Sequence, residues 1–297
     1  MAMILSDNMR GALLMTAAMT AFVVNDAFMK TLSDALPLFQ AILLRGIGSS
    51  LFLFLLTLYM RQLRFGASGR DWTLMVIRAL SEMAGSWFFL TALFHMPFAD
   101  LAAIMQSLPL TVTLVGALFL GEAVGWRRIV AIFIGFLGVL LIIKPGPDTF
   151  TIDALYGLAT VACVTVRDIV SRMMSPALPS LMVATVSAFG VTVFAGIGAV
   201  FVDWQPVTGQ SAFYLTGAMV FLIFGYLCSV AAVRVGDLGF VAPFRYTGLV
   251  VALVVGVVVF GTFPDAITLL GASIVVATGL FTLYREQIRR KDVTSGS

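Results

Sequence analysis

Ten apolar runs, each near 20 residues and separated by short charged or Pro/Gly-bearing breaks, dominate this chain. They fall at roughly 10–31, 37–60, 72–94, 97–120, 127–143, 152–174, 179–202, 211–233, 237–259 and 265–285. A helix needs about 20 residues to cross a bilayer, so ten crossings use roughly 200 of the 297 residues and leave only short connections. The runs lack period-2 alternation, and a transmembrane barrel needs a polar lumen face, so strands are excluded. The expected fold is an all-α membrane protein of ten transmembrane helices without an extramembrane domain. Charged residues are 11% of the chain, against about 25% in soluble proteins. That scarcity excludes a cytosolic enzyme, a nucleic-acid binder and a disordered linker.

Basic residues set the expected orientation. With the N-terminus in the cytoplasm, the cytoplasmic loops, tails and helix ends hold Arg10, Arg61, Arg64, Arg70, Arg127, Arg128, Arg172, Arg234, Arg285, Arg289, Arg290 and Lys291. The opposite side holds Lys144 and, at a helix end, Lys30, and its loops carry Asp34, Asp148, Asp153, Asp203 and Asp265. This is a strong positive-inside bias, and it places both termini in the cytoplasm. The net charge of +3 therefore reads as orientation rather than nucleic-acid binding. The first run contains Asn25-Asp26 and lacks a small-residue cleavage site, so it reads as a retained helix and not as a signal peptide.

The sequence also repeats. A shift of 142 lays Asp26-x-x-x-Lys30-x-x-Ser33-x-Ala35-Leu36-Pro37 on Asp168-x-x-x-Arg172-x-x-Ser175-x-Ala177-Leu178-Pro179. A shift of 140 lays Ala92, Ala102, Gly116 and Gly121 on Ala232, Ala242, Gly256 and Gly261. Five is an odd number of crossings, so the second copy must enter from the other side. The expected halves are 1–146 and 147–297, in the inverted arrangement common among secondary transporters.

Ten short-looped helices in this duplication resemble the EamA branch of the drug/metabolite transporter superfamily. So does the stretch from Ala92 through Pro109 to Gly121-Glu122 and on to Gly135-Phe-Leu-Gly138-Val-Leu-Leu-Ile. Asn8-Met-Arg-Gly-Ala-Leu-Leu-Met, Asn25-Asp26 and Thr91-Ala-Leu-Phe-His95-Met-Pro are most similar to alphaproteobacterial members associated with riboflavin uptake. The resemblance implies alternating access around a cavity lined mainly by spans 1, 3, 4, 6, 8 and 9, in the bacterial inner membrane. It fixes the substrate poorly, since members carry amino acids, nucleotides, vitamins and xenobiotics. Thr262 stands opposite Glu122, so the halves are not equivalent there.

Charges inside spans carry most of the functional information, because each costs at least ~2.5–3.5 kcal/mol on insertion scales. They are Asp26, Lys30, Arg45, Arg78, Glu82, Arg167, Asp168 and Arg245. Asp26 and Lys30 are four apart and can pair on one helix face, as can Asp168 and Arg172. Such pairs are either a gate or a structural tie, with Lys30 and Arg172 reaching toward headgroups. Glu82, near mid-depth, is the best-placed carboxylate for proton coupling, or else a packing partner of Arg78 one turn before it. Arg45 and Arg245 lie too deep for easy snorkelling, and a guanidinium there suits a carboxylate, a phosphate or a flavin-like carbonyl edge. Gln106 and Tyr246 occupy equivalent depths of spans 4 and 9. Trp87 and Tyr226 are aromatic faces on which a planar ligand can stack.

What the chain lacks narrows its chemistry. None of its three lysines follows a glycine, so there is no P-loop and no ATP-driven transport within this chain. Gly66-Ala-Ser68-Gly69 matches a Gly-x-Ser-Gly protease motif, but the single histidine, His95, lies near the other face, so no dyad forms. One histidine builds no metal site and reads as interfacial. Cys163 and Cys228 form no CxxC pair. No cofactor or metal is expected. The expected partners are a small-molecule substrate, the lipid bilayer, and a coupling proton or counter-transported solute. The leading reading is uptake of riboflavin or a related vitamin by a non-ATP transporter, with export of amino acids or other metabolites as the alternative. A lipid-modifying membrane enzyme would need a His, Asp or Ser cluster at one interface, which the sequence does not offer. A purely structural role predicts that the in-span charges can be replaced together by apolar residues.

Overall fold

A computed structural model describes residues 6–63, 66, 68–121, 125–144, 151–175 and 177–295, with side chains described only as far as Arg285. Arg64, Glu122, Asp148, the 146/147 boundary and the side chains of Arg289, Arg290 and Lys291 lie outside the described residues. The described chain is helical throughout: α1 Asp7–Thr31, α2 Leu38–Tyr59, α3 Gly69–His95, α4 Phe98–Met105, α5 Leu108–Phe119, α6 Trp126–Ile143, α7 Ile152–Met173, α8 Ser180–Ala199, α9 Gly209–Val235, α10 Leu238–Val241, a 3-10 turn Ala242–Tyr246, α11 Thr247–Val258 and α12 Ala266–Ser295.

Among the described residues, eight helices are long and apolar enough to cross a membrane, counting α4 and α5 together, and Ala242–Val258 forms a shorter apolar helix. α3 is 27 residues long but is not among the eight, since Arg70, Asp71, Arg78 and Glu82 dilute its apolar surface. Phe133, Leu137, Val193, Ile197 and Val250 are each 60% or more accessible. So many exposed apolar side chains on helices of this length suit lipid, not water.

Two expected spans are interrupted. The run 97–120 breaks at Gln106-Ser107 between α4 and α5, with Pro109 in the first turn of α5. The run 237–259 breaks through the Pro243-bearing 3-10 turn before α11. Proline lacks an amide hydrogen and clashes with the preceding turn, so the α-helical ladder cannot run through it. Tight i→i+3 bonds take over, from Gln106 N to Ala103 O at 3.2 Å and from Ser107 N to Ile104 O at 3.0 Å. Both broken runs end at a left-handed glycine, Gly121 with φ +67 and Gly261 with φ +64, a conformation glycine adopts without steric cost.

The chain forms two compact units: residues 1–24, 96–154 and 221–297, and residues 25–95 and 155–220. In the second, α2 and α8 run antiparallel. Ser50 and Thr192 hydroxyls meet at 2.7 Å, as do those of Thr57 and Thr185. α3 and α7 also run antiparallel, meeting at Gly85, where an added Cβ would lie 3.3 Å from Cys163 Cβ. Ser68 caps α3: its Oγ accepts from Asp71 N at 3.1 Å and donates to the Asp71 carboxylate at 2.9 Å. That is an N-cap role. In the first unit, α6 packs on α12 through Gly138 and Gly271. A Cβ on Gly138 would lie 2.8 Å from Gly271 O. Small residues let membrane helices approach this closely. Phe98 of α4 stacks on Phe260, two residues past the end of α11, with 5.3 Å between ring centroids.

Candidate functional site

Within the unit of residues 25–95 and 155–220, antiparallel α3 and α7 build a band of polar contacts along their shared seam. Asp71 Oδ1 accepts from Ser175 N at 3.1 Å at one end. Arg78 follows, donating through Nε to Ser171 Oγ at 2.9 Å and through Nη1 to Ser187 Oγ of α8. One turn further, Arg167 reaches Glu82 Oε1 at 3.3 Å and Oε2 at 3.4 Å, and its own neighbour Asp168 Oδ1 at 2.8 Å. One guanidinium thus serves two carboxylates, which suits its planar fork of five donors. The side chains of Arg167, Glu82 and Asp168 stay 27%, 27% and 34% accessible. Part-accessible charges on helices of this length are costly against lipid.

Beyond Gly85 the band turns aromatic. The Trp87 ring lies 4.9 Å from Phe88 and 6.1 Å from Tyr156, and Phe88 stacks on Tyr156 at 6.0 Å. Tyr156 precedes Arg167 by 11 residues, about three helical turns, so both sit on one side of α7.

A second cluster joins α1 and α2. Asn25 Nδ2 donates to Asp26 Oδ1 at 2.8 Å, and Arg45 Nη1 donates to Asn25 Oδ1 at 3.3 Å. Asn25 is buried, whereas Asp26 and Arg45 are part-accessible. Lys30, one turn on, donates to Leu93 O at 2.8 Å near the end of α3, where a cation meets carbonyls left over by the helix.

The other candidates lie in the other unit. Gln106 caps α4 at the break and keeps a part-accessible side chain. Tyr246 ends the 3-10 turn, and its buried hydroxyl has no hydrogen-bond partner among the described residues. Its ring abuts Gly279 of α12, where any Cβ would collide with the hydroxyl. Arg245 is exposed, and Tyr226 is part-buried on α9. In the unit of residues 25–95 and 155–220, His95 Nδ1 lies 2.7 Å from Thr91 O at the exposed end of α3.

The structure therefore joins Glu82 to Asp168, and Asp26 to Arg45 through Asn25. Arg167, Asn25 and Tyr156 are the participants that sequence reasoning left out of the candidate site. Arg167 was visible as an in-span charge. Adjacent helical residues do not face each other, so its reach to Asp168 while also holding Glu82 had no signature in spacing.

A model of the EamA-like transporter family matches residues 9–144. A riboflavin transporter of Vibrio cholerae is 31% identical over 209 residues, 69% of this chain and 70% of that protein. The chain belongs to the EamA-like transporter family. It is a membrane transporter of that type. An S-adenosylmethionine uptake transporter of Rickettsia bellii is 27% identical over 265 residues, 89% of each chain. A pseudopaline exporter of Pseudomonas aeruginosa is 26% identical over 279 residues, 90% of this chain and 93% of that one. One crystal structure matches the fold with a TM-score of 0.62 at 18% identity, across 94% of this chain and 98% of its own.

Proposed function

We propose that this EamA-like protein is a secondary transporter of the bacterial inner membrane that takes up riboflavin or a related vitamin by alternating access. It does so through ten crossings arranged as two inverted five-helix repeats, about 1–146 and 147–297, with both termini cytoplasmic. The observation that carries the substrate class is the α3–α7 band: a charged stretch at Glu82, Arg167 and Asp168 that continues into Trp87, Phe88 and Tyr156. The eight in-span charges are five basic and three acidic, but in the middle of the band Arg78 and Arg167 offset Glu82 and Asp168. Such a lining suits a substrate of little net charge, with a planar ring to stack and a polar edge to hydrogen-bond. The name of the Vibrio relative agrees with that choice.

Several pairs support the repeat arrangement. Ser50 and Thr192, 142 residues apart, touch each other, as equivalent residues near a two-fold axis do. The left-handed Gly121 and Gly261 are 140 apart, and the broken spans are the fourth and the ninth. Interrupted helices in corresponding positions of two halves are a pointer to a transporter's binding region.

A second substrate reading follows from the Rickettsia relative, which the chain matches over a longer stretch than it does the Vibrio one. S-adenosylmethionine also offers a planar ring, and its sulfonium would meet the Glu82 and Asp168 carboxylates. Uptake of labelled riboflavin and of labelled S-adenosylmethionine into proteoliposomes, with and without a pH gradient, separates these readings. Saturable riboflavin uptake supports the proposal. Uptake of S-adenosylmethionine alone moves it to the second substrate, and outward movement alone moves it to export. Riboflavin uptake that a pH gradient accelerates in wild type and not in Glu82→Gln assigns the proton to Glu82.

A further inference from the structure

A pocket of about 400 Å³ opens in the unit of residues 25–95 and 155–220, where α1 ends and α9 begins. Its lining includes Thr31, Gln205, Thr208, Gln210, Ser211 and Tyr214, together with Ala35 and Pro206, and it contains no charged side chain. The segment before α9 is held in place from below. Gln40 of α2 is fully buried, donates to Gln205 O at 2.8 Å and accepts from Gln205 N at 3.0 Å. Burying an amide side chain so completely requires both of its ends to be satisfied, and that reciprocal pair fixes the pocket wall.

The polar groups around the opening are ordered among themselves. Thr208 and Ser211 hydroxyls lie 3.1 Å apart, with Ser211 N donating to Thr208 Oγ1 at 3.1 Å. Gln210 Nε2 donates to the Tyr214 hydroxyl at 3.1 Å. The Tyr214 ring is braced by Phe28 at 6.0 Å and Phe213 at 5.8 Å. Exposed Gln205 and Gln210 each keep donor and acceptor capacity toward the opening.

We propose that this pocket is a second binding site, separate from the α3–α7 band, for a neutral, polyhydroxylated small molecule such as the ribityl chain of a flavin. An aromatic face beside hydroxyls and amides receives C–H surface and alternating hydroxyls together. The uncharged lining gives no hold to phosphates, carboxylates or ammonium groups, which are recognised through charge. The volume falls in the range of small-molecule sites. It lies at the helix ends that adjoin Asp34 and Asp203, the outer side in the orientation proposed above. There it collects the hydroxylated part of the substrate before transport, a role that rests on that reading. The site's ligand class does not.

The test is saturation-transfer NMR on the full chain in detergent, with ribitol as the probe and ribitol 5-phosphate as a charged polyhydroxylated control. Wild type is expected to transfer saturation to ribitol and not to the phosphate. Ala35→Trp, placed at an exposed position so that folding is retained, is expected to lose at least four-fifths of the signal. Ala35→Ser is expected to keep it. No transfer to ribitol in wild type, or equal transfer in Ala35→Trp, overturns the site. If ribitol binds as described but riboflavin is not transported, the pocket stands and the vitamin reading falls.

Discussion

Asp26 and Asp168 stand 142 residues apart, each four residues before a basic side chain at Lys30 or Arg172, yet their surroundings are wired differently. Each is bound by the residue just before it. For Asp168 that residue is Arg167, which also holds Glu82. For Asp26 it is Asn25, an uncharged amide that passes the contact on to Arg45. The α3–α7 cluster is therefore a closed ion network, while the α1–α2 cluster is a relay in which an amide stands between carboxylate and guanidinium. A closed network tolerates the loss of its one cation poorly, because that loss strands two anions. A relay can lose or gain charge at the carboxylate with less structural consequence. We infer that the first holds α3 against α7 while its part-accessible carboxylates face the substrate, and that the second is the more adjustable of the two.

The largest expected effect is at the shared cation. Arg167→Ala strands Glu82 and Asp168 inside a span and should lower stability by about 3 kcal/mol, the low end for breaking a buried pair because the partners stay part-solvated. Thermal unfolding in detergent measures this, and Arg167→Lys should recover part of it. Equal stability of Arg167→Ala and wild type would dissolve the distinction between network and relay. Next in size is a packing change in the other unit. Gly138→Val pushes a side chain against Gly271 O and should cost roughly 2 kcal/mol by overpacking, read by the same unfolding assay. It should leave the ligand preference of any remaining folded protein unchanged.

Asp26→Asn should cost about 1 kcal/mol or less, the scale of one hydrogen bond, while reducing transport at least tenfold. A stability loss as large as that of Arg167→Ala would show that the α1–α2 cluster is a structural tie rather than an adjustable relay. The smallest effect is at the exposed Lys144–Asp265 pair beside α12. Hydrogen bonds from Lys144 and from the Thr268 backbone hold the Asp265 carboxyl down at about 2, against 3.8 ordinarily. A depressed folded value means the contribution is fully present above about pH 4 and is lost as pH falls toward 2. Unfolding of Asp265→Asn should lie about 1 °C below wild type between pH 5 and 8, as solvent-exposed pairs contribute little, and the gap should close below pH 4. Wild type should fall more steeply below pH 4.

The helices were legible in the sequence because length and hydropathy suffice to mark an apolar crossing, and the structure follows those runs closely at α2, α6 and α8. The breaks in the fourth and ninth runs were not. Pro109 and Pro243 leave the hydropathy of their windows high, and whether a proline bends or interrupts a helix depends on which local bonds replace the ladder. α3 shows the opposite case: its charges pull it below an apolar threshold although it is among the longest helices. At the site, the identity of the costly charges was readable, but their partners were not. Glu82 lies 85 residues from Arg167, and spacing along one helix says nothing about which neighbouring helix supplies the counter-charge. Tyr156 was hidden for a related reason: aromatic residues are common in this chain, and only contact with Trp87 and Phe88 sets it apart.

The most direct measurement is riboflavin uptake by proteoliposomes holding equal amounts of folded wild type, Asp26→Asn and Arg167→Lys. The account predicts saturable uptake by wild type, near-complete loss in Asp26→Asn at almost unchanged stability, and partial activity in Arg167→Lys. Uptake by Asp26→Asn equal to wild type, or wild-type uptake no greater than that of empty liposomes, would contradict it.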